Sequence, residues 1–176
     1  MPRNLPYQLA ALAIFVLLKL AYTQADTSDL AFLLGPTDTL VGLAANSPSV
    51  YDSASGYLHP DLNITIDKSC SGFNFWMLSF LMLSFLSLRY LSQSSHKLAA
   101  LPLALLCAYG LTIFANTSRI TIAVLLQNQF PHVPPPYQAW FHQAQGTFVY
   151  LSCLIGLYLT LDYLLSQLTC SDAQPA

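Results

Sequence analysis

The chain has 176 residues, 55% of them hydrophobic and only 8% charged, whereas soluble domains carry roughly 25% charged residues. So little charge cannot cover a soluble monomer; at about 20 apolar residues per helical crossing, the apolar content suffices for about four spans of a lipid bilayer and leaves no room for a second globular domain. A net charge of -2 with scattered basic residues offers no stripe for a nucleic-acid backbone, so no nucleic acid is expected as a partner.

Leu5 to Tyr22 is the first apolar run, preceded by Arg3. It reads as a transmembrane helix or as a secretory signal peptide. Thr23-Gln24-Ala25 is a weak match to a cleavage site and Lys19 interrupts the end of the run, which favours a retained helix. From Thr23 to Ser69 the chain turns polar. Within it, Leu30 to Ala45 is apolar but broken by Gly35-Pro36, too short to span, and expected in the interface or over a site. Ser55-Gly56 and His59-Pro60-Asp61 are turn signals near the alternating Leu62, Ile64 and Ile66. They predict a small hairpin that delivers the chain to Cys70.

Phe73 to Leu91 is the second span, closed by Arg89 and the polar loop Ser92 to Lys97. Leu98 to Asn116 is the third, with Pro102 placed in its first turns, where a missing amide hydrogen is tolerated. Apolar character continues to Gln127, giving 30 residues or roughly 45 Å of straight helix. That is too long for one crossing and predicts a bend or surface emergence near Asn116-Thr117-Ser118-Arg119. The run Pro131-His132-Val133-Pro134-Pro135-Pro136 excludes helix, and the fourth span follows from about Gln143 to Leu165. The expected fold is an all-α polytopic membrane protein, a single integral membrane domain over 1–176. Its four spans are near 5–22, 73–91, 98–116 and 143–165, and a short outer-face hairpin or interfacial segment (23–69) precedes the second.

Four spans put both termini on one side, together with Arg3, Arg89 and Lys97. The positive-inside rule makes that side cytoplasmic and sets the segments around Cys70, Arg119 and His142 on the outer face of the inner, cytoplasmic membrane. Lys19, Lys68 and Arg119 lie on or near that outer face and thin the bias.

Three segments thus meet one membrane face: Lys68-Ser69-Cys70-Ser71-Gly72, Asn116-Thr117-Ser118-Arg119 and Trp140-Phe141-His142-Gln143. Cys70 is expected at a helix start, where the dipole and free amide hydrogens favour a thiolate, the reactive form of the side chain. His142, also near a helix start, suits proton transfer near neutral pH. Arg119 keeps its charge and is fit to hold a thiolate or an oxyanion. Helical spacing adds Asn74 four residues after Cys70 and Asn116 three before Arg119 as supporting groups.

Each residue has a plainer reading. Most cysteines at helix starts are inert, boundary arginines snorkel to headgroups, and a histidine beside Trp140 and Phe141 belongs in an aromatic belt. What favours chemistry is the coincidence of three such groups at membrane depth. Cys107 and Cys153 sit in apolar runs and read as packing residues, Cys170 lies in the polar tail, and the chain has no CxxC, which argues against a disulfide framework. No pair among His59, His132, His142 and Cys70 has the short spacing of a zinc site, so neither metal nor cofactor is expected.

At these residues the sequence resembles the exosortase and archaeosortase family of integral membrane cysteine enzymes. Ser69-Cys70-Ser71-Gly72 is similar to the family's cysteine motif, Ala115-Asn116-Thr117-Ser118-Arg119-Ile120 to its Asn-x-x-Arg motif, and His142 to its histidine near the last span. The resemblance covers about Gly56 to Leu165. Its brevity and Asp67-Lys68-Ser69-Cys70-Ser71-Gly72-Phe73-Asn74 look most like the compact type called exosortase K, with fewer spans before the cysteine than longer members have. The resemblance implies a cysteine protease or transpeptidase with Cys70, Arg119 and His142 as catalytic residues. The implied substrate is an exported protein with a C-terminal sorting signal, made of a short motif, a transmembrane helix and a basic tail. The new carboxyl end would pass to a surface acceptor molecule. Two other classes stay open: a four-helix thiol oxidoreductase, which needs paired external cysteines that this chain lacks, and a non-enzymatic channel or assembly factor.

Overall fold

The computed structural model describes residues 4–91, 93–129 and 135–171. Its helices are α1 (Leu5–Gln24), α2 (Ala31–Ala45), α3 (Phe73–Tyr90), α4 (Ser94–Gln129) and α5 (Pro135–Ser171). Three strands, β1 (Val50–Asp52), β2 (Gly56–His59) and β3 (Ile64–Ile66), lie between α2 and α3. Among the described residues four helical stretches are long and apolar enough to cross a bilayer: Leu5–Gln24, Lys68–Tyr90, Ser94–Gln127 and Gln143–Gln167. The chain is an all-α polytopic membrane protein with one small sheet. It divides into two compact units, Met1–Thr23 with Asn74–Leu111 and Cys153–Ala176, and Gln24–Phe73 with Thr112–Ser152.

The first unit is built on α3. Phe75, Trp76, Met77, Phe80 and Leu88 are buried along it, whereas α1 buries only Ala11 and exposes Leu5, Leu9, Leu12, Val16, Leu17 and Leu20. In a bilayer such apolar flanks meet acyl chains at no cost. Polar side chains tie the helices together. Trp76 Nε1 donates to the Leu105 carbonyl at 3.1 Å, and Asn4 Nδ2 to that of Leu88 at 2.8 Å. Lys97, expected in a polar loop, instead lies in the first turn of α4. It is only 3% exposed, its ammonium donates to Asn4 Oδ1, and it sits 5.9 Å from the Tyr7 ring centroid. At the other end of α1, Lys19 Nζ donates to Asn74 Oδ1. Tyr90 donates to Asp162 Oδ1 at 2.6 Å, with Arg89 3.9 Å from the same oxygen.

The second unit joins α2 and the sheet to the adjoining parts of α4 and α5. The expected break at Gly35-Pro36 does not occur: α2 runs through Pro36. Proline at this point costs the hydrogen bond to the Phe32 carbonyl, close to the helix start. The burial of Leu33, Leu34 and Val41 offsets that loss. Asn46, in the left-handed region at φ 50°, ends the helix, and Ser47 N–H closes on the Gly42 carbonyl at 3.0 Å.

The sheet has three antiparallel strands in the order β1-β2-β3, one more than a hairpin. Asp52 makes the first turn by accepting from both the amide and the hydroxyl of Ser55, at 3.0 and 2.6 Å. Those bonds hold its carboxyl below the usual carboxylate range. Gly56 follows at φ +95°, and a Cβ there would lie 2.4 Å from the Ile66 carbonyl oxygen. Only glycine fits.

One further expectation needs correction, at the start of α5, and α4 is longer than the span expected there. Helix α4 runs unbroken through Asn116-Arg119 over 36 residues, or roughly 54 Å. A helix of that length exceeds one perpendicular crossing and requires tilt, a bend or turns beyond the hydrocarbon layer. Pro135 and Pro136, placed in a non-helical loop by their composition, form the first turn of α5. Their missing amide hydrogens have no partner there in any case. His132 lies outside the described residues.

Candidate active site

Cys70 ends a single 3-10 turn, Lys68–Cys70. Asp67 starts that turn with a carboxylate that accepts from the Ser69 amide at 2.9 Å and the Ser69 hydroxyl at 2.6 Å. The Cys70 and Ser71 amides then close on the carbonyls of Asp67 and Lys68 at 2.9 and 3.2 Å. Lys68, which the sequence leaves as a solvated turn residue, reaches back to the Ala25 carbonyl at 2.6 Å. The cysteine therefore sits in a braced turn just ahead of α3, not within the helix start itself. Ser69 Oγ is its near neighbour, 3.9 Å from Sγ.

Gly72 lets this turn lie flat on α4 and α5. It has φ +67°, and a Cβ on it would meet Thr112 Cγ2 at 3.1 Å, Asn116 Cγ at 3.4 Å and the Tyr150 hydroxyl at 3.4 Å. Asn116 is fully buried and donates through Nδ2 to the Cys70 carbonyl. Its other amide atom, Oδ1, accepts from the Tyr150 hydroxyl at 2.8 Å. Tyr150 in turn receives a long bond of 3.4 Å from Arg119 Nη1, and the guanidinium carbon lies 5.4 Å from its ring centroid. One continuous chain of contacts thus runs from the cysteine backbone through Asn116 and Tyr150 to Arg119.

Arg119 is held from behind as well. Gln145 Nε2 donates to its main-chain carbonyl at 3.0 Å. Gly146 gives its side chain room, since a Cβ there would stand 2.4 Å from Nε. That Nε is buried and has no hydrogen-bond partner among the described residues; the same is true of Gln145 Oε1. A buried donor left open is costly unless something else takes it up, and a substrate oxygen is a suitable acceptor.

The sequence-derived site residues fare differently. Cys70, Asn116 and Arg119 are brought together in one unit, with Tyr150 as a link that the sequence reading missed. His142 falls within α5, one helical turn before Gly146, and its side chain lies outside the described residues. Asn74 does not follow Cys70 along a helix, because α3 begins only at Phe73 after the left-handed Gly72. It belongs to the other unit, exposed and bonded to Lys19.

A second polar cluster has the connectivity of a hydrolytic triad. His59 lies between Asp38 Oδ1, 2.9 Å from Nε2, and Ser47 Oγ, 3.2 Å from Nδ1, while Ser49 donates to Asp38 Oδ2 at 2.9 Å. His59 is wholly buried and Ser47 is 6% exposed. A nucleophile without access serves no substrate, and every member of the cluster is satisfied. It braces α2 against β2. The adjacent Tyr57 hydroxyl is pushed above its ordinary value by burial, and next by the Asp38 carboxylate.

No curated protein and no solved structure shows a match to the chain. The family model described as transmembrane exosortase matches residues 48–159, a stretch that takes in Cys70, Asn116, Arg119, His142 and Tyr150. With well over half of its length matched, and with four helices fit to cross a bilayer, the chain belongs to the transmembrane exosortase family, multi-pass membrane enzymes of the protease and transpeptidase class that process exported proteins.

Proposed function

We propose that the protein is a compact exosortase of the K type. It cleaves the C-terminal sorting signal of exported proteins at the outer face of the cytoplasmic membrane, with Cys70 as nucleophile. Cys70 gives its thiol proton to His142 and Sγ attacks the scissile carbonyl carbon; as the carbon–sulfur bond forms and the carbon–nitrogen bond breaks, His142 passes that proton to the departing amine. Arg119 stabilises the oxyanion between these events. An amine or hydroxyl of a surface acceptor then attacks the thioester, the carbon–sulfur bond breaks, and the thiol is regenerated with the acceptor's proton. Asn116 holds the cysteine turn in place.

The observation that carries this reading is the unbroken contact chain from the Cys70 carbonyl to a guanidinium whose buried Nε is open among the described residues. A channel or assembly factor has no need of a cysteine braced in this way. A thiol oxidoreductase needs a second thiol beside it, and the other described cysteines, Cys107 and Cys153, lie well along α4 and α5.

The test is processing of an exported reporter that carries the sorting signal of a surface protein from the same cell. Cys70→Ala is expected to accumulate to parental levels and leave the reporter uncleaved, while Cys107→Ala and Cys153→Ala cleave it normally. Cleavage by Cys70→Ala at any substantial rate rules out thiol catalysis at this position.

A further inference from the structure

We infer that Tyr150 is a positioning residue of this active site: its hydroxyl sets the orientation of the Asn116 amide and so locks the cysteine turn and the Arg119 guanidinium into one piece. The inference rests on the reading of Cys70 as nucleophile and Arg119 as oxyanion donor.

An asparagine side chain presents an oxygen to one side and an NH2 to the other, and its neighbours decide which way it faces. Here the Tyr150 O–H points at Oδ1 at 2.8 Å, which leaves Nδ2 to donate to the Cys70 carbonyl. A hydroxyl that donates to Asn116 still has lone pairs, and Arg119 Nη1 uses one of them at 3.4 Å. The phenol ring lies under the guanidinium, 5.4 Å from centroid to carbon. Tyr150 therefore touches both partners with different chemistry: the hydroxyl orders the asparagine, and the ring supports the arginine. Gly72 is what allows the cysteine turn to approach this hydroxyl. The three pieces come from separate stretches of chain, the turn before α3, the middle of α4 and the middle of α5, and Tyr150 with Asn116 joins them.

Removing only the hydroxyl separates the two roles. In Tyr150→Phe the ring stays under Arg119, while the fully buried Asn116 Oδ1 loses the hydroxyl that donates to it and the turn loses its fixed hold. The same exported reporter is assayed in membrane vesicles, with initial rates taken over a range of reporter concentrations and normalised to enzyme abundance. Tyr150→Phe is expected to lower kcat by about 10-fold to 100-fold, the range that follows from orphaning one buried polar group. KM is expected to stay within about twofold, since no substrate contact is removed. Asn116→Ala, tested alone, reports the same bond from its other end. The double variant is expected to be no slower than the slower single variant, because both act through one contact.

Parental kcat per molecule in Tyr150→Phe overturns the inference, including the case in which only abundance falls. Additive losses in the double variant also overturn it, as does a rise in KM alone. Cys70→Ala run in parallel separates the levels. If it is inactive while Tyr150→Phe is fully active, only the role of the tyrosine falls; if it remains active, the reading beneath falls with it.

Discussion

Gly146 offers a perturbation whose effects on stability and on activity are expected to part company. A methyl group placed there stands 2.4 Å from Arg119 Nε and 3.2 Å from Cδ and Cζ, so the arginine side chain has to move. Nothing else within 4 Å of that methyl is closer, and a long side chain moves cheaply. Alanine in place of glycine in a helix interior gains about 1 kcal/mol. Lifting the guanidinium off the Tyr150 ring loses about 0.5 to 1 kcal/mol at a partly exposed site. The two nearly cancel, and Gly146→Ala is expected to unfold within a few degrees of the parent in a detergent thermal melt. Activity is another matter, because a donor that stabilises an oxyanion is worth about 2.7 to 4 kcal/mol, or roughly a hundredfold to a thousandfold in rate. Gly156 is the matched control: a Cβ there meets nothing within 4 Å, and Gly156→Ala is expected to cleave the reporter at the parental rate. If Gly146→Ala cleaves as fast as Gly156→Ala, the placement of Arg119 does not matter to the reaction.

Other expectations follow from single residues. Arg119→Lys keeps a long stem and a positive head but loses the planar fork, so it is expected to insert normally and leave the reporter almost uncleaved, with Arg89→Lys fully active; parental turnover in Arg119→Lys makes the arginine a membrane anchor. For topology, a cysteine reporter at Ser53 is expected to react with an impermeant thiol reagent on intact cells and one at Ser95 to be shielded; the opposite pattern turns the site inward. In the sheet, the Ser55 hydroxyl and amide depress the Asp52 carboxyl, so this turn's contribution is present at neutral pH and lost as pH falls through the folded value. Ser55→Ala is expected to move the Asp52 titration, followed by carbonyl NMR, up toward the ordinary 3.8, and an unchanged midpoint contradicts the assigned hydrogen bond.

The four spans were legible because apolar runs of bilayer length admit few alternatives. What the sequence obscured were places where local signals were overruled by tertiary contacts. Gly35-Pro36 is a breaker by composition, yet the burial of Leu33, Leu34 and Val41 carries α2 across it. Asn116, Ser118 and Arg119 look like a surface exit from α4. Ser118 bonds back to the Phe114 carbonyl at 2.9 Å, and Asn116 spends its amide on the cysteine turn, so these two side chains are satisfied with the helix intact. His59 was a turn marker in sequence and is a buried brace in the fold, since its partners Asp38 and Ser47 are too distant in the chain to be foreseen. Tyr150 was hidden among ten tyrosines. The signal that could have found it is a helical stripe: 142, 146 and 150 follow one another at i, i+4 and i+8 on α5.

The central claim is that Cys70 carries the acyl group. Membranes holding the enzyme, incubated with the reporter and quenched in acid, are to be digested and examined by mass spectrometry for the peptide containing Cys70. The account expects that peptide to bear the cleaved reporter end as a thioester, released by neutral hydroxylamine and increased when no acceptor is supplied. Cleavage of the reporter with Cys70 unmodified at every time point, or with the acyl group on another residue, contradicts it.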